Sequence, residues 1–260
     1  MATGQQQKRK ELREKRLAAE AKAQSADKRQ NLVKIIGIAA FLVVVGVIVA
    51  VVAISSGGSS EDSKGTADID KLLAGIPQNG TVLGKPDSKV TLYEFGDLQC
   101  PVCDDYSKNA TPDIINDIVR PGKAKWNFKQ WAILGPDSVL AAKAALAAAE
   151  QDRYWQYIEN FYANQGIENS GYVTDDFLTD IANKAGVPDI DKWNTDRESE
   201  AVAKQVEDTD QQASVDLGFS GTPSFAIQVG NGEITPVQTT SSSTAAKELA
   251  DAISKAQSGS

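Results

Sequence analysis

The chain has 260 residues, 41% of them hydrophobic and 24% charged, which is enough apolar content for a packed core. It contains no histidine, and that excludes Ser-His-Asp hydrolysis, Cys-His proteolysis and histidine metal ligation together. The formal net charge of −8 is unevenly spread: residues 1–34 carry 10 Lys/Arg against 4 Asp/Glu, leaving 17 against 31 for the rest, so the larger part is a poor partner for nucleic acid.

In chain order, the basic leader (1–34) has helical composition and reads as a solvated charged helix; contact with anionic lipid headgroups is the functional alternative. Ile35 to Ile54, IIGIAAFLVVVGVIVAVVAI, then runs 20 residues without a charge. As a helix it would span about 30 Å, the thickness of a bilayer's hydrocarbon core. With the basic residues ahead of it, the span predicts a cytoplasmic N-terminus and an exported C-terminal part. A cleaved signal peptide would have a shorter leader and a shorter apolar run, so an uncleaved anchor in the cell membrane is the preferred reading. Residues 55–66, beginning Ser55-Ser56-Gly57-Gly58-Ser59-Ser60, read as a flexible linker, with the globular domain at 67–260.

Within that domain, Val90–Phe95 reads as a strand after the turn signal Gly84-Lys85-Pro86-Asp87. A helix is expected from Pro101 to about Val119, and a second strand over Ala124–Ile133. Val139–Gln165 reads as an Ala-rich helix ending in aromatics. Thr174-Asp175-Asp176 opens another, stopped by Gly186-Val187-Pro188, and a third runs from Asp189 towards Leu217. Strands return at Ser224–Val229 and Ile234–Gln238, and a helix from Thr244 to about Ala256 ends the chain. The order predicts an α/β domain with a helical insertion at about 136–217. The four tryptophans read as packing residues rather than as a stacking platform.

Both cysteines of the chain lie in one motif, Cys100-Pro101-Val102-Cys103. As a staple this bond would be poorly placed: closing a four-residue loop gives only about 1.9 kcal/mol by loop entropy, against roughly 3 for 15 residues. As a bond made and broken during turnover it is well placed. Two cysteines also make only half a zinc site, so a structural zinc would need a second chain. Cys100 falls at the N-cap of the expected helix, where unpaired N–H groups and the positive dipole end favour a thiolate. Cys100 is therefore the expected attacking thiol. Cys103, one turn further in, is the expected resolving thiol.

A CxxC that closes a strand and opens a helix, followed by the run Gly221-Thr222-Pro223-Ser224-Phe225, resembles the thioredoxin superfamily. Cys100 and Pro223 lie 123 residues apart, which leaves room for the helical insertion of the DsbA-like thiol-disulfide oxidoreductases. FGDLQCPVC and AALAAAEQDRYWQYIENFYANQ are also similar to that family. The resemblance covers roughly residues 80–256. It implies a thioredoxin fold with a helical insertion and nucleophilic and resolving roles for Cys100 and Cys103. It implies a cis-proline loop at Thr222-Pro223 whose backbone meets the substrate, and a buried acid at Glu94 that moves a proton to or from Cys103. It further implies exported proteins as substrates, a quinone-linked membrane partner, and no metal or organic cofactor. Val102 stands where DsbA proper has histidine. With Asp97, Asp104 and Asp105 close by, a less depressed Cys100 pKa is expected. A reductase or isomerase of the same fold, or a scaffold with a vestigial disulfide, are the alternatives.

Overall fold

The sheet is organised around one strand, Val90–Gly96, because its sequence VTLYEFG can be buried on both faces. The computed structural model describes residues 59–258, and the elements here are numbered within that range. Helix α1 is Ser59–Leu73. A short hairpin follows, β1 (Gln78–Asn79) and β2 (Val82–Leu83), then the central strand β3 (Val90–Gly96). Helices α2 (Pro101–Asn109) and α3 (Thr111–Ile114) lead through a π-helical turn, Ile115–Val119, to β4 (Lys125–Gln130).

Then come α4 (Pro136–Ala149), α5 (Tyr154–Ala163), α6 (Asp175–Lys184), α7 (Ile190–Asp196) and α8 (Glu200–Asp210), the last running into a π-helical turn at Gln211–Asp216. Strands β5 (Ser224–Val229) and β6 (Thr235–Val237) and helix α9 (Ser242–Ser258) complete the chain. The strand order is β1-β2-β4-β3-β5-β6. β3 runs parallel to β4 and antiparallel to β5, with Glu94 opposite Phe128 on one side and Phe225 on the other.

Three expected helices are interrupted, each for a local reason. Pro112 cannot donate to the carbonyl of Lys108, and the helix from Pro101 breaks at Ala110. The Ala-rich helix ends at Ala149, where Asp152 takes a positive φ of 55° and Arg153 N–H returns to Ala148 O at 3.0 Å. The helix from Asp189 stops after Asp196 and restarts when Ser199 Oγ accepts from Val202 N–H at 3.3 Å. By contrast, Thr174 caps α6 as its sequence indicates, accepting from Phe177 N–H at 3.2 Å.

Residues 59–66 lie in the first turns of α1. The leader and the apolar run 35–54 lie outside the described residues. Among the described residues no helix is long and apolar enough to cross a membrane.

The core lies on both faces of the sheet. On the side of α5, Phe128 meets Tyr154, Trp155 and Tyr162 edge to face, and Trp126 tilts against Trp155 with centroids 4.8 Å apart. Helix α4 buries Ala141, Ala142, Ala144, Ala145, Ala147 and Ala148, small side chains that let neighbouring helices approach closely. All four tryptophans are buried, as packing residues should be. At the end of β3, Gly96 has no room for a side chain. A Cβ there would sit 2.4 Å from Phe128 Cζ, so the strand reaches the loop before Cys100 pressed against the aromatic core.

Candidate active site

β3 delivers the chain into the loop Asp97-Leu98-Gln99, and that loop is fixed from several directions. Asp97 is buried, and its carboxylate accepts from Gln99 N–H (2.9 Å), Ile133 N–H (2.8 Å) and Leu134 N–H (3.0 Å). Gln99 donates to Ser138 Oγ at 3.2 Å and accepts from Asn169 N–H at 3.0 Å. From the end of α5, the Gln165 amide donates to the carbonyls of Leu98 (2.8 Å) and Cys100 (3.2 Å). These contacts hold the turn from which α2 starts.

Cys100 is the N-cap of α2, in extended conformation, and Pro101 takes the first helical position. Asp104 N–H closes the first turn on Cys100 O at 3.1 Å. Both cysteines are free thiols. Both are buried, at 6% exposure for Cys100 and 1% for Cys103. Pro101 is exposed and Val102 is 50% exposed, so the motif presents its two middle residues outward and folds its sulfurs under them. The Thr222–Pro223 peptide is cis, and Cys100 Sγ donates to Thr222 O at 3.5 Å. Residues 122 apart in sequence thus meet at one sulfur.

The surroundings split the two thiols. The Cys103 thiol donates to Cys100 Sγ, and with the Thr222 hydroxyl and the N–H groups of Val102 and Cys103 it pulls the Cys100 pKa down to about 6 against the cost of burial. Burial pushes Cys103 well above the ordinary thiol range, and its bond to Cys100 and the charge of Glu94 push the same way. The three nearby acids do not set the balance at Cys100. The Asp97 carboxylate is spent on backbone N–H groups, Asp104 pairs with Lys108 at 2.6 Å, and Asp105 accepts from Asn109 at 2.8 Å.

Glu94 lies on the central strand, not at an edge. It is 5% exposed, and burial first, then the charge of Glu159, raises its carboxyl well above the carboxylate range. With Cys103 and Glu159 it lines a gap too narrow for a water molecule. The arrangement therefore offers a nucleophilic sulfur ionised at neutral pH, a second sulfur that keeps its proton, and a buried acid beside the second.

Sequence reasoning missed Asp97, Gln99 and Gln165 as the residues that fix the loop. It also missed Glu159, 7% exposed on α5 with its Oε2 accepting from Ser107 Oγ at 2.8 Å. One signal was available for Glu159. It falls four residues after Trp155 and three before Tyr162, so a carboxylate occupies the apolar face of its helix.

The profile of the thioredoxin family matches residues 77–250. The chain belongs to that family, among the DsbA-like thiol-disulfide oxidoreductases. A Bacillus cereus protein described as a probable disulfide bond formation protein D is 30% identical over 149 residues, covering 56% of this chain and 68% of that protein. Oxidised BdbD from Bacillus subtilis is 26% identical with a TM-score of 0.58, covering 68% of this chain and 91% of the other. The thiol-disulfide exchange protein α-DsbA2 from Wolbachia pipientis, 23% identical with a TM-score of 0.53 over 76% of this chain and 98% of its own, shares the fold.

Proposed function

We propose that this oxidoreductase works outside the cytoplasm, held to the membrane by residues 35–54, and introduces disulfides into exported proteins through Cys100 and Cys103. The observation that carries the reading is the split between the two thiols, one lowered to about 6 and the other raised, inside a single helical turn. A stable Cys100 thiolate stabilises the reduced pair, and that makes the disulfide a better oxidant. The names of the relatives point to the same direction of electron flow.

In each turnover a substrate thiolate attacks Cys100 Sγ of the enzyme disulfide. The Cys100–Cys103 bond breaks, its electron pair goes to Cys103 Sγ, and Cys103 takes a proton from Glu94. A second substrate thiolate attacks the mixed disulfide and releases Cys100 as thiolate. The products are substrate disulfide and reduced enzyme. Thr222 and Pro223 border the sulfur that is attacked, which supports a substrate-binding role for them, and exposed Pro101 and Val102 complete the rim. No metal or organic cofactor takes part. Reoxidation falls to a quinone-linked membrane partner, which a tethered domain meets at the bilayer.

The deciding experiment is the reduction potential of the pair in the full-length chain, equilibrated against glutathione. A value above about −200 mV fits an oxidase. A value below about −250 mV would reverse the direction and make the protein a reductant fed by a membrane electron carrier. Release of the chain from membranes as a soluble form starting near Ser55 would overturn the anchor.

A further inference from the structure

The proton that Cys103 gains has to come from solvent, yet Glu94 is buried on the central strand and the gap beside it admits no water. A second carboxylate lines the same gap. Glu159 shares it with Glu94 and Cys103, and on its outer side Glu159 Oε2 accepts from Ser107 Oγ at 2.8 Å. Ser107 is only half-buried, so the row Cys103, Glu94, Glu159, Ser107 runs from the sulfur to the surface of α2. We propose that Glu159 is the outer member of a two-carboxylate relay, returning protons from solvent to Glu94 by way of the Ser107 hydroxyl.

The proposal rests on the role given above to Glu94 and deepens it. Two carboxyl groups sharing a dry gap cannot both ionise cheaply, so the pair holds one proton in common. Burial pushes Glu159 up to about 7, and its charge in turn raises Glu94. Glu159 can thus change state at neutral pH, while the upward shift of Glu94 favours its protonated form. Asp104 from α2 also faces it and acts in the same direction, while the Ser107 bond opposes. The helices packed on α5 bring little other charge. On α6, Asp175, Asp176 and Asp180 are exposed and Lys184 is tied to Asp180 and Asn164; on α4, Lys143 is half-buried. The step balances: when the Cys100–Cys103 bond breaks, Cys103 Sγ takes the electron pair and the Glu94 proton, Glu94 takes the Glu159 proton, and Glu159 takes one from solvent.

Full-length oxidised chain carrying Glu159→Gln, Glu159→Asp, Glu94→Gln, or Glu94→Gln with Glu159→Gln is mixed with a reduced dithiol peptide, and single-turnover rates are followed across pH. Glu159→Gln keeps the shape and an acceptor for Ser107 but cannot carry the proton. Its rate is expected to fall about tenfold, the low end of what general acid-base groups contribute being larger still. The wild-type limb near pH 7 should vanish in Glu159→Gln and persist in Glu159→Asp, with the double variant no slower than Glu94→Gln alone. An unchanged rate and limb in Glu159→Gln while Glu94→Gln is slow would overturn the relay but leave Glu94 in place. Multiplying effects in the double variant would do the same. An unaffected Glu94→Gln would overturn both. Alkylation of Cys100 in the reduced variants should still titrate near 6, which separates the relay from damage to the nucleophile.

Discussion

Cys103→Ala should undo most of what makes Cys100 reactive, although the altered side chain never touches the substrate sulfur first. In the reduced protein the Cys103 thiol is the largest influence lowering Cys100, ahead of the Thr222 hydroxyl and the two helical N–H groups. A hydrogen bond to a charged acceptor contributes about 1.5–3 kcal/mol. At about 1.36 kcal/mol per pKa unit that is roughly one to two units. Cys100 should therefore move from about 6 to about 7–8 in Cys103→Ala. At pH 7 the thiolate fraction would drop from about 90% to roughly 10–50%. Cys103→Ser retains a donor at the same place and should stay within about half a unit of the wild type.

The assay is the ultraviolet absorbance of the thiolate against pH, because only one thiol is then left to titrate. A single alkylation rate at neutral pH is a poorer readout, since thiol nucleophilicity rises with pKa and partly cancels the lost ionisation. If Cys103→Ala still titrates near 6, the helix N-terminus alone holds the charge, and the assignment of the inner thiol as principal donor is wrong.

Thr222→Val removes a hydroxyl that donates to the thiolate while keeping the shape of the loop, and should raise Cys100 by a smaller amount than Cys103→Ala in the same titration. Glu94→Gln should make the fold more stable at pH 8 and flatten its pH dependence. The Glu94 pKa is raised in the folded state, so wild-type stability is full below the unfolded value of about 4.3 and is lost as pH rises towards the folded value. Urea unfolding at pH 5 and pH 8 checks this, and a wild-type curve that gains stability over that range through Glu94 would contradict it. Asp97→Asn should cost about 2–4 kcal/mol in urea unfolding, because the amide turns an N–H₂ towards backbone donors that now meet a carboxylate.

The strands and the ends of helices were legible because their signals are local. Val90–Phe95 and Ser224–Val229 alternate or cluster β-forming residues, and Thr174, Asp189 and Gly186 punctuate helices by their own chemistry. The breaks were harder. Pro112 could have been weighed against the helix from Pro101, yet the break at Asp152 depends on a positive φ of 55° that an aspartate tolerates without demanding it. The hairpin of β1 and β2 was not legible at all. Its strands have two residues each and exist by pairing with each other and with β4 at Val82–Asn127.

The site divides along the same line. Cys100, Cys103 and the turn at Thr222-Pro223 announce themselves in sequence, but their reactivity was read from the wrong neighbours. Counting Asp97, Asp104 and Asp105 as charges near a thiolate ignores what each carboxylate is doing. One is held by three backbone N–H groups, and the other two are engaged by Lys108 and Asn109. The charge that acts on the inner sulfur comes from β3, at Glu94, and Glu159 on α5 acts in turn on Glu94. The same burial that makes Cys103 costly to ionise makes it the best available donor to Cys100. Moving the acids to the surface or opening the gap to water would therefore weaken both halves at once. A low outer pKa and a high inner one are two readings of a single hydrogen bond in a dry place.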